Sequence, residues 1–137
     1  MLKLNLVTPL KKLVTDLEID EVYVPAYKGE LNILPGHAAM VTTLSTGILR
    51  YRAKGASNTV AAAISWGYCE VFNDEVTVLA ETAETGEEID LERAQEAMKR
   101  ASEALSGKDI SPEEIEKYQN KMIRSITRLE VAKSRDA

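Results

Sequence analysis

The hydrophobic period of the chain changes once, at Thr85-Gly86, and that change limits the possible folds more than any other feature. Up to about Glu84 the sequence is a series of short runs rich in Val, Ile, Leu, Thr and Tyr. Pro or Gly interrupts them at the intervals of an all-β domain. Strands are predicted near 3–8, 11–15, 20–24, 31–34, 39–43, 47–53, 58–65, 67–72 and 75–80. Alternation puts Val76, Val78 and Ala80 on one face of the last run and Thr77, Leu79 and Glu81 on the other. Corners fall at Gly29, Pro35-Gly36, Thr46-Gly47, Lys54-Gly55, Trp66-Gly67 and Asn73-Asp74, where positive or preset φ is cheap. Many short strands with tight turns predict a β-sandwich or flattened barrel over residues 1–85.

Beyond that point apolar residues recur at helical spacing, which assigns residues 86–137 to a second unit. A first helix is predicted over 89–105, with Leu91, Ala94, Met98, Ala101 and Leu105 on one face. The small side chains of that face allow close approach of a neighbour. Ser106-Gly107-Lys108-Asp109 breaks the pattern. Ser111, followed by Pro112 and then Glu114, reads as a capping box opening a second helix that runs to roughly Lys133. Ile115, Tyr118, Met122, Ile126 and Leu129 form its apolar stripe. Two amphipathic helices with a short break form a helical hairpin, and a hairpin this small must rest its stripe on the sandwich, on its twin or on another protein.

Composition excludes several functions. A net charge of −5 argues against nucleic acid as the main partner, because phosphate neutralisation needs a basic face that only a local patch could supply. One cysteine, Cys69, and one histidine, His37, supply neither a disulfide, nor a zinc site, nor a nucleophile with its base, so the chain reads as a non-enzyme. Cys69 shares a strand face with Val71, away from Tyr68 and Glu70, and packs as a small hydrophobe. Glu87, Glu88, Asp90 and Glu92 match the dipole at a helix start. No apolar window reaches membrane-spanning length and no leader is evident, so contact with a membrane runs through partners. On the second helix Lys117, Lys121, Arg124, Arg128 and Arg135 fall on one face. Dipole matching and solubility explain such a face; so does a cationic rail for an acidic protein surface or a phosphate.

Three segments, in order, carry a family resemblance over essentially the whole length: GELNILPGHAAM at 29–40, GYCEVFNDEVTVLAETA at 67–83 and IDLERA at 89–94. The chain resembles the epsilon subunit of the rotary proton-translocating (F-type) ATP synthase, of bacterial or plastid type. It departs at Ala26 and Ala39, where the family often has Gly and Pro. The resemblance implies a non-catalytic central-stalk subunit that couples proton-driven rotation to ATP synthesis. Tyr27, Lys28, Glu30 and Leu31 match positions facing the c ring; His37 and Met40, Val41, Thr42 and Thr43 match the side toward the gamma subunit. The hairpin would be a mobile brake that extends along gamma toward the alpha/beta catalytic subunits and blocks ATP hydrolysis; of its basic face, Lys117, Lys121, Arg124 and Arg128, the last three would meet an acidic segment of the beta subunit.

No cofactor is required on this reading, but a regulatory ATP site is implied by Glu84, Ile89, Asp90, Arg93, Ala94, Arg124 and Arg128. An N-cap role for Asp90 and a first-turn role for Arg93 explain those two residues without nucleotide. Weak or conditional ATP binding is preferred slightly over none. The location implied is the cytoplasmic face of the bacterial inner membrane, ahead of the plastid thylakoid. A free-standing ATP-sensing module is the alternative, and the tip segment at 29–40 argues against it because an isolated sensor has no use for such a surface.

Overall fold

Leu2, Leu4 and Leu6, then Val22, Val24 and Ala26, then Val76, Val78 and Ala80 recur at every second position, and each of these sets is buried in one core. The computed structural model describes residues 1–107 and 109–134; Arg135 of the basic face lies outside them. Its strands are β1 (Leu2–Val7), β2 (Lys12–Ala26), β3 (Gly29–Ile33), β4 (Met40–Leu44), β5 (Gly47–Ala53), β6 (Val60–Phe72) and β7 (Glu75–Thr85). They are followed by helices α1 (Leu91–Leu105) and α2 (Pro112–Ser134). Ladders β1–β2, β2–β5, β5–β6, β6–β7 and a parallel β7–β1 pair close a ring, with β3 and β4 extending it beside β2 and β6. This is the sandwich, or flattened barrel, followed by a helical hairpin that the sequence predicts. Leu2, Leu4 and Leu6 of β1, Val22 and Val24 of β2 and Val76 and Val78 of β7 fill its interior.

Two predicted pairs of strands are in fact single long strands. Segments 11–15 and 20–24 are both part of β2, which bends at Asp16 (φ 46°), where the freed backbone N–H is taken up by Asn5 Oδ1 at 2.9 Å. Segments 58–65 and 67–72 are both part of β6. In its first half Ala62 and Ile64 face the core; in its second half Cys69 and Val71 do, so the inward phase flips between them. The flip sits at Trp66 (φ 45°) and Gly67, where β6 exchanges partner from β5 to β4. A phase break reads in sequence as a turn, although the antiparallel ladder to β7 keeps one register through it.

Cys69 is fully buried, as its strand phase predicts. Burial pushes its thiol up to about 11, with the Glu70 charge adding to the effect. Alkylation at pH 8 is therefore expected to be about 100-fold slower than for an exposed thiol, because the thiolate is the reacting form. Mass spectrometry of timed iodoacetamide reactions checks this, and an ordinary rate would mean that β6 opens in the native state.

The hairpin lies against the barrel. Its helices pack on each other, and α2 rests on β5, β6 and β7. The seat is a second small core of Ala63, Ile89, Ala94, Leu129, Val131 and Ala132. One predicted stripe residue is misplaced: Ile126 is 42% exposed, whereas Ser125 is buried. The facing positions are Ile115, Tyr118, Met122, Ser125, Leu129 and Ala132, a strict alternation of three- and four-residue steps. Ile126 lies one step off that seam.

Candidate functional site

The predicted contact residues at 27–31 sit on the hairpin between β2 and β3. Tyr27 and Lys28 form its tip, between the paired Ala26 and Gly29, and Tyr27 is 74% exposed. Tyr27 N–H donates to Thr43 C=O at 3.0 Å, which ties this tip to β4. Glu30 is exposed and pairs with Arg50 at 3.1 Å. Tyr27, Lys28, Glu30 and Leu31 share a cleft of about 330 Å³ with Thr42 and Thr43. The structure thus brings together residues that the sequence assigned to two different contacts.

His37 closes a turn on Leu34-Pro35-Gly36, with its N–H donating to Leu34 C=O at 3.2 Å and Gly36 at φ 83°. Pro then Gly at the two central positions is the signature of a type II turn. His37 Nδ1 lies 2.8 Å from Ala38 C=O. Along β4 only alternate side chains face outward: Val41 (72% exposed) and Thr43 are exposed, while Met40 packs on the core. Sequence reasoning missed their neighbours. Register places Thr43 opposite Tyr68 and Val41 opposite Glu70, and Trp66, Tyr68 and Phe72 are all exposed on the same strand, β6. Their two-residue spacing was readable, but without the β4–β6 pairing nothing connected it to 40–43.

Each helix start has the cap residue that the sequence implies, although at α2 the Glu114 carboxylate meets the Ser111 hydroxyl rather than the backbone N–H of a full capping box. Asp90 is the N-cap of α1, its Oδ1 accepting from Arg93 N–H at 3.2 Å. Ser111 Oγ accepts from Glu114 N–H at 3.2 Å and stands 3.2 Å from Glu114 Oε1, to which it donates. Of the other acidic residues near α1, Glu88 is engaged with Lys11 and with the N–H and hydroxyl of Thr85. The Lys11 bond, ahead of the Thr85 bonds, holds its carboxyl below the usual range.

Of the residues of the implied nucleotide site, Glu84, Arg124 and Arg128 line one small cleft between barrel and α2, and Ile89, Asp90, Arg93 and Ala94 are not part of its lining. Ile89 and Ala94 are buried in the hairpin seat, Arg93 is exposed, and Asp90 is used as a cap. Arg128 turns to the barrel instead, with Nε 2.9 Å from Glu84 Oε1 and a guanidinium N–H donating to Oε2 at 3.2 Å. The Nε contact is a charge contact rather than a directed hydrogen bond. A larger groove of about 430 Å³ lies between the helices. Lys121, Arg124 and Arg128 of α2 line it opposite Arg100 of α1, over an alanine floor. Arg100 was missed; it follows Arg93 by seven residues and so shares its helical face. Lys117 and Lys121 flank the Tyr118 ring at 5.7 and 5.4 Å from its centre. This concentration of cations in an open groove suits a phosphate or a carboxylate-rich surface. Among the described residues no cluster of side chains could hold a metal ion, and no helix is long and apolar enough to cross a membrane.

Known proteins match both units. The beta-sandwich domain of the ATP synthase delta/epsilon chain matches residues 1–86, and the long alpha-helix domain of the same chain matches 87–133. The ATP synthase epsilon chain of Bdellovibrio bacteriovorus is 40% identical over 136 residues, covering 99% of this chain and 97% of the relative. That of Geotalea daltonii is 47% identical over 133 residues, covering 96% and 93%. Among solved structures, a chain of the Euglena gracilis mitochondrial ATP synthase has a TM-score of 0.70 at 22% identity, covering 98% of this chain and 79% of that one. A chain from the central stalk and c-ring structure of the Tetrahymena thermophila enzyme has a TM-score of 0.58 at 14% identity, covering 99% and 96%. At these identities the two structures speak for the fold.

Proposed function

Because the chain belongs to the ATP synthase delta/epsilon family, we propose that it is a non-catalytic part of the rotor, with the barrel as coupling element and the hairpin as brake. The tip at Tyr27, Lys28, Glu30 and Leu31 docks on the polar loops of the c ring. The face carrying His37, Val41 and Thr43, widened by Tyr68 and Phe72, docks on gamma. Attachment to the membrane is peripheral, at the cytoplasmic face of a bacterial inner membrane.

The observation that carries the brake is the thinness of the hairpin's seat. Alanines supply much of it, at Ala63, Ala94 and Ala132, and a single ion pair between α2 and β7, Arg128 with Glu84, closes it among the described residues. Such a seat holds an element that can leave, since a switch needs states only a few kcal/mol apart. Released, α2 offers Lys121, Arg124 and Arg128 to acidic surface on the catalytic subunits. ATP, as the regulatory ligand, enters the groove of Arg100, Lys121, Arg124 and Arg128. Its phosphates then bridge α1 and α2 and favour the docked hairpin.

Reconstitution tests this. The full chain, or a version ending at Gly86, is added to an ATP synthase complex depleted of this subunit, and ATP hydrolysis and proton pumping are recorded together. Both versions are expected to restore pumping, and only the full chain to suppress hydrolysis. If neither changes either activity, the rotor role is wrong; if the short version suppresses hydrolysis equally, the hairpin is not the brake.

A further inference from the structure

The 34–37 turn projects from the barrel between β3 and β4, and its own hydrogen bond, His37 N–H to Leu34 C=O, only closes the turn on itself. What joins it to the rest of the barrel is a bond from Gly36 N–H to Asp74 Oδ1 at 2.7 Å. Asp74 belongs to the two-residue turn between β6 and β7, where Asn73 and Asp74 both have positive φ (48° and 59°). That pair of angles is the type I′ hairpin geometry, which fixes the side chain at the second position. The main chain of the same residue is also anchored, since Asp74 C=O accepts Lys3 N–H at 2.9 Å. The β6–β7 corner, the start of β1 and the 34–37 turn thus meet at one residue.

We propose that Asp74 is a positioning residue: its carboxylate holds the Leu34-Pro35-Gly36-His37 turn in the orientation in which it docks on the rotor partner. This rests on the reading that the His37 face is a docking surface. A turn with a free backbone donor and no second anchor samples several orientations. Fixing it before docking removes an ordering cost from association. The Gly36 bond is also the first cause of the low affinity of the Asp74 carboxyl for protons, with the amino group at Met1, 3.5 Å from Oδ2, adding to it. The carboxylate therefore stays ionised, and a charged acceptor makes a stronger bond to the amide than a neutral one.

Two substitutions separate positioning from folding. Asp74→Gly keeps a residue at ease with positive φ and removes the acceptor; Asp74→Asn keeps both an acceptor oxygen and tolerance of the turn. Hydrogen exchange at the Gly36 amide and affinity for the ATP synthase complex depleted of this subunit are measured for both, beside the thermal midpoint. In Asp74→Gly the Gly36 amide is expected to exchange at least tenfold faster and the affinity to fall by about tenfold, with Asp74→Asn restoring most of each. Unchanged Gly36 exchange in Asp74→Gly would overturn the anchoring. Faster exchange with unchanged affinity would overturn the role in docking. If the unaltered chain fails to bind the complex, the docking reading itself fails, and positioning for docking fails with it, while the Gly36 exchange still reports whether Asp74 anchors the turn.

Discussion

Gly67→Ala is expected to destabilise the chain by about 3 kcal/mol or more, among the largest effects a single methyl group can have. A Cβ built on Gly67 lies 1.9 Å from Leu79 C=O oxygen and 2.9 Å from Ala80 Cα. Both are backbone atoms of the paired strand β7, so no side chain can swing away to make room. The site is the corner at which β6 reverses its inward phase and moves from β5 to β4. There β7 reverses too, with Val78 and Ala80 buried before it and Ala83 after. Where both strands exchange their inward faces their backbones approach closely, and glycine makes that approach possible. Gly107→Ala is the control. Its added Cβ would meet only Ala104 C=O, at 3.3 Å, and should change stability by less than about 1 kcal/mol. Urea titration of both variants measures the difference. Equal midpoints would mean that the β6–β7 corner relaxes far more easily than its backbone contacts imply.

That corner also explains what could be read from the sequence and what could not. Period alone separated the two faces of β7 and gave the burial of Cys69, because each residue needs only its strand neighbours to be placed. It identified both helices and their caps for the same reason: Asp90 and Ser111 act within three residues of themselves. It failed where a second strand decides. Trp66-Gly67 reads as a turn in sequence, because a phase flip inside a paired strand looks locally like a break. Tyr68 and Phe72 were not joined to Val41 and Thr43, because only the β4–β6 register makes them neighbours. Spacing from Met122 and Leu129 admits Ser125 and Ile126 equally, and only the packing of α2 decides for Ser125. The sets assigned to contacts and ligand rested on resemblance, and folding distributes them unevenly: Tyr27 to Leu31 share one cleft with Thr42 and Thr43, while Glu84, Asp90 and Ala94 are engaged within the fold itself.

Glu84→Gln should release the hairpin, and with it strengthen the brake. The Arg128 and Glu84 side chains are 22% and 27% exposed, so their pair is partly withdrawn from water, and losing one charge leaves the other poorly solvated. A cost of about 1–2 kcal/mol is expected, which moves a docked-to-released equilibrium by about 5- to 30-fold. Thr46 and Asn120 line one cleft between barrel and α2, so a bifunctional reagent bridging Thr46→Cys and Asn120→Cys reports the docked state. Its yield should fall in Glu84→Gln. In the reconstituted complex hydrolysis should fall as well, because the released α2 keeps every cation. Arg128→Ala breaks the same pair from the other side, so it too should lower the cross-linking yield, yet it removes a cation from the rail. Joined to Arg124→Ala, it is expected to relieve inhibition while leaving assembly intact. The two substitutions thus agree on docking and oppose each other on activity. A mere loss of hairpin structure would move cross-linking and inhibition downward together in both. Glu84→Gln with weakened inhibition would therefore reject the ion pair as the catch of the brake, and unchanged inhibition after loss of Arg124 and Arg128 would reject the rail.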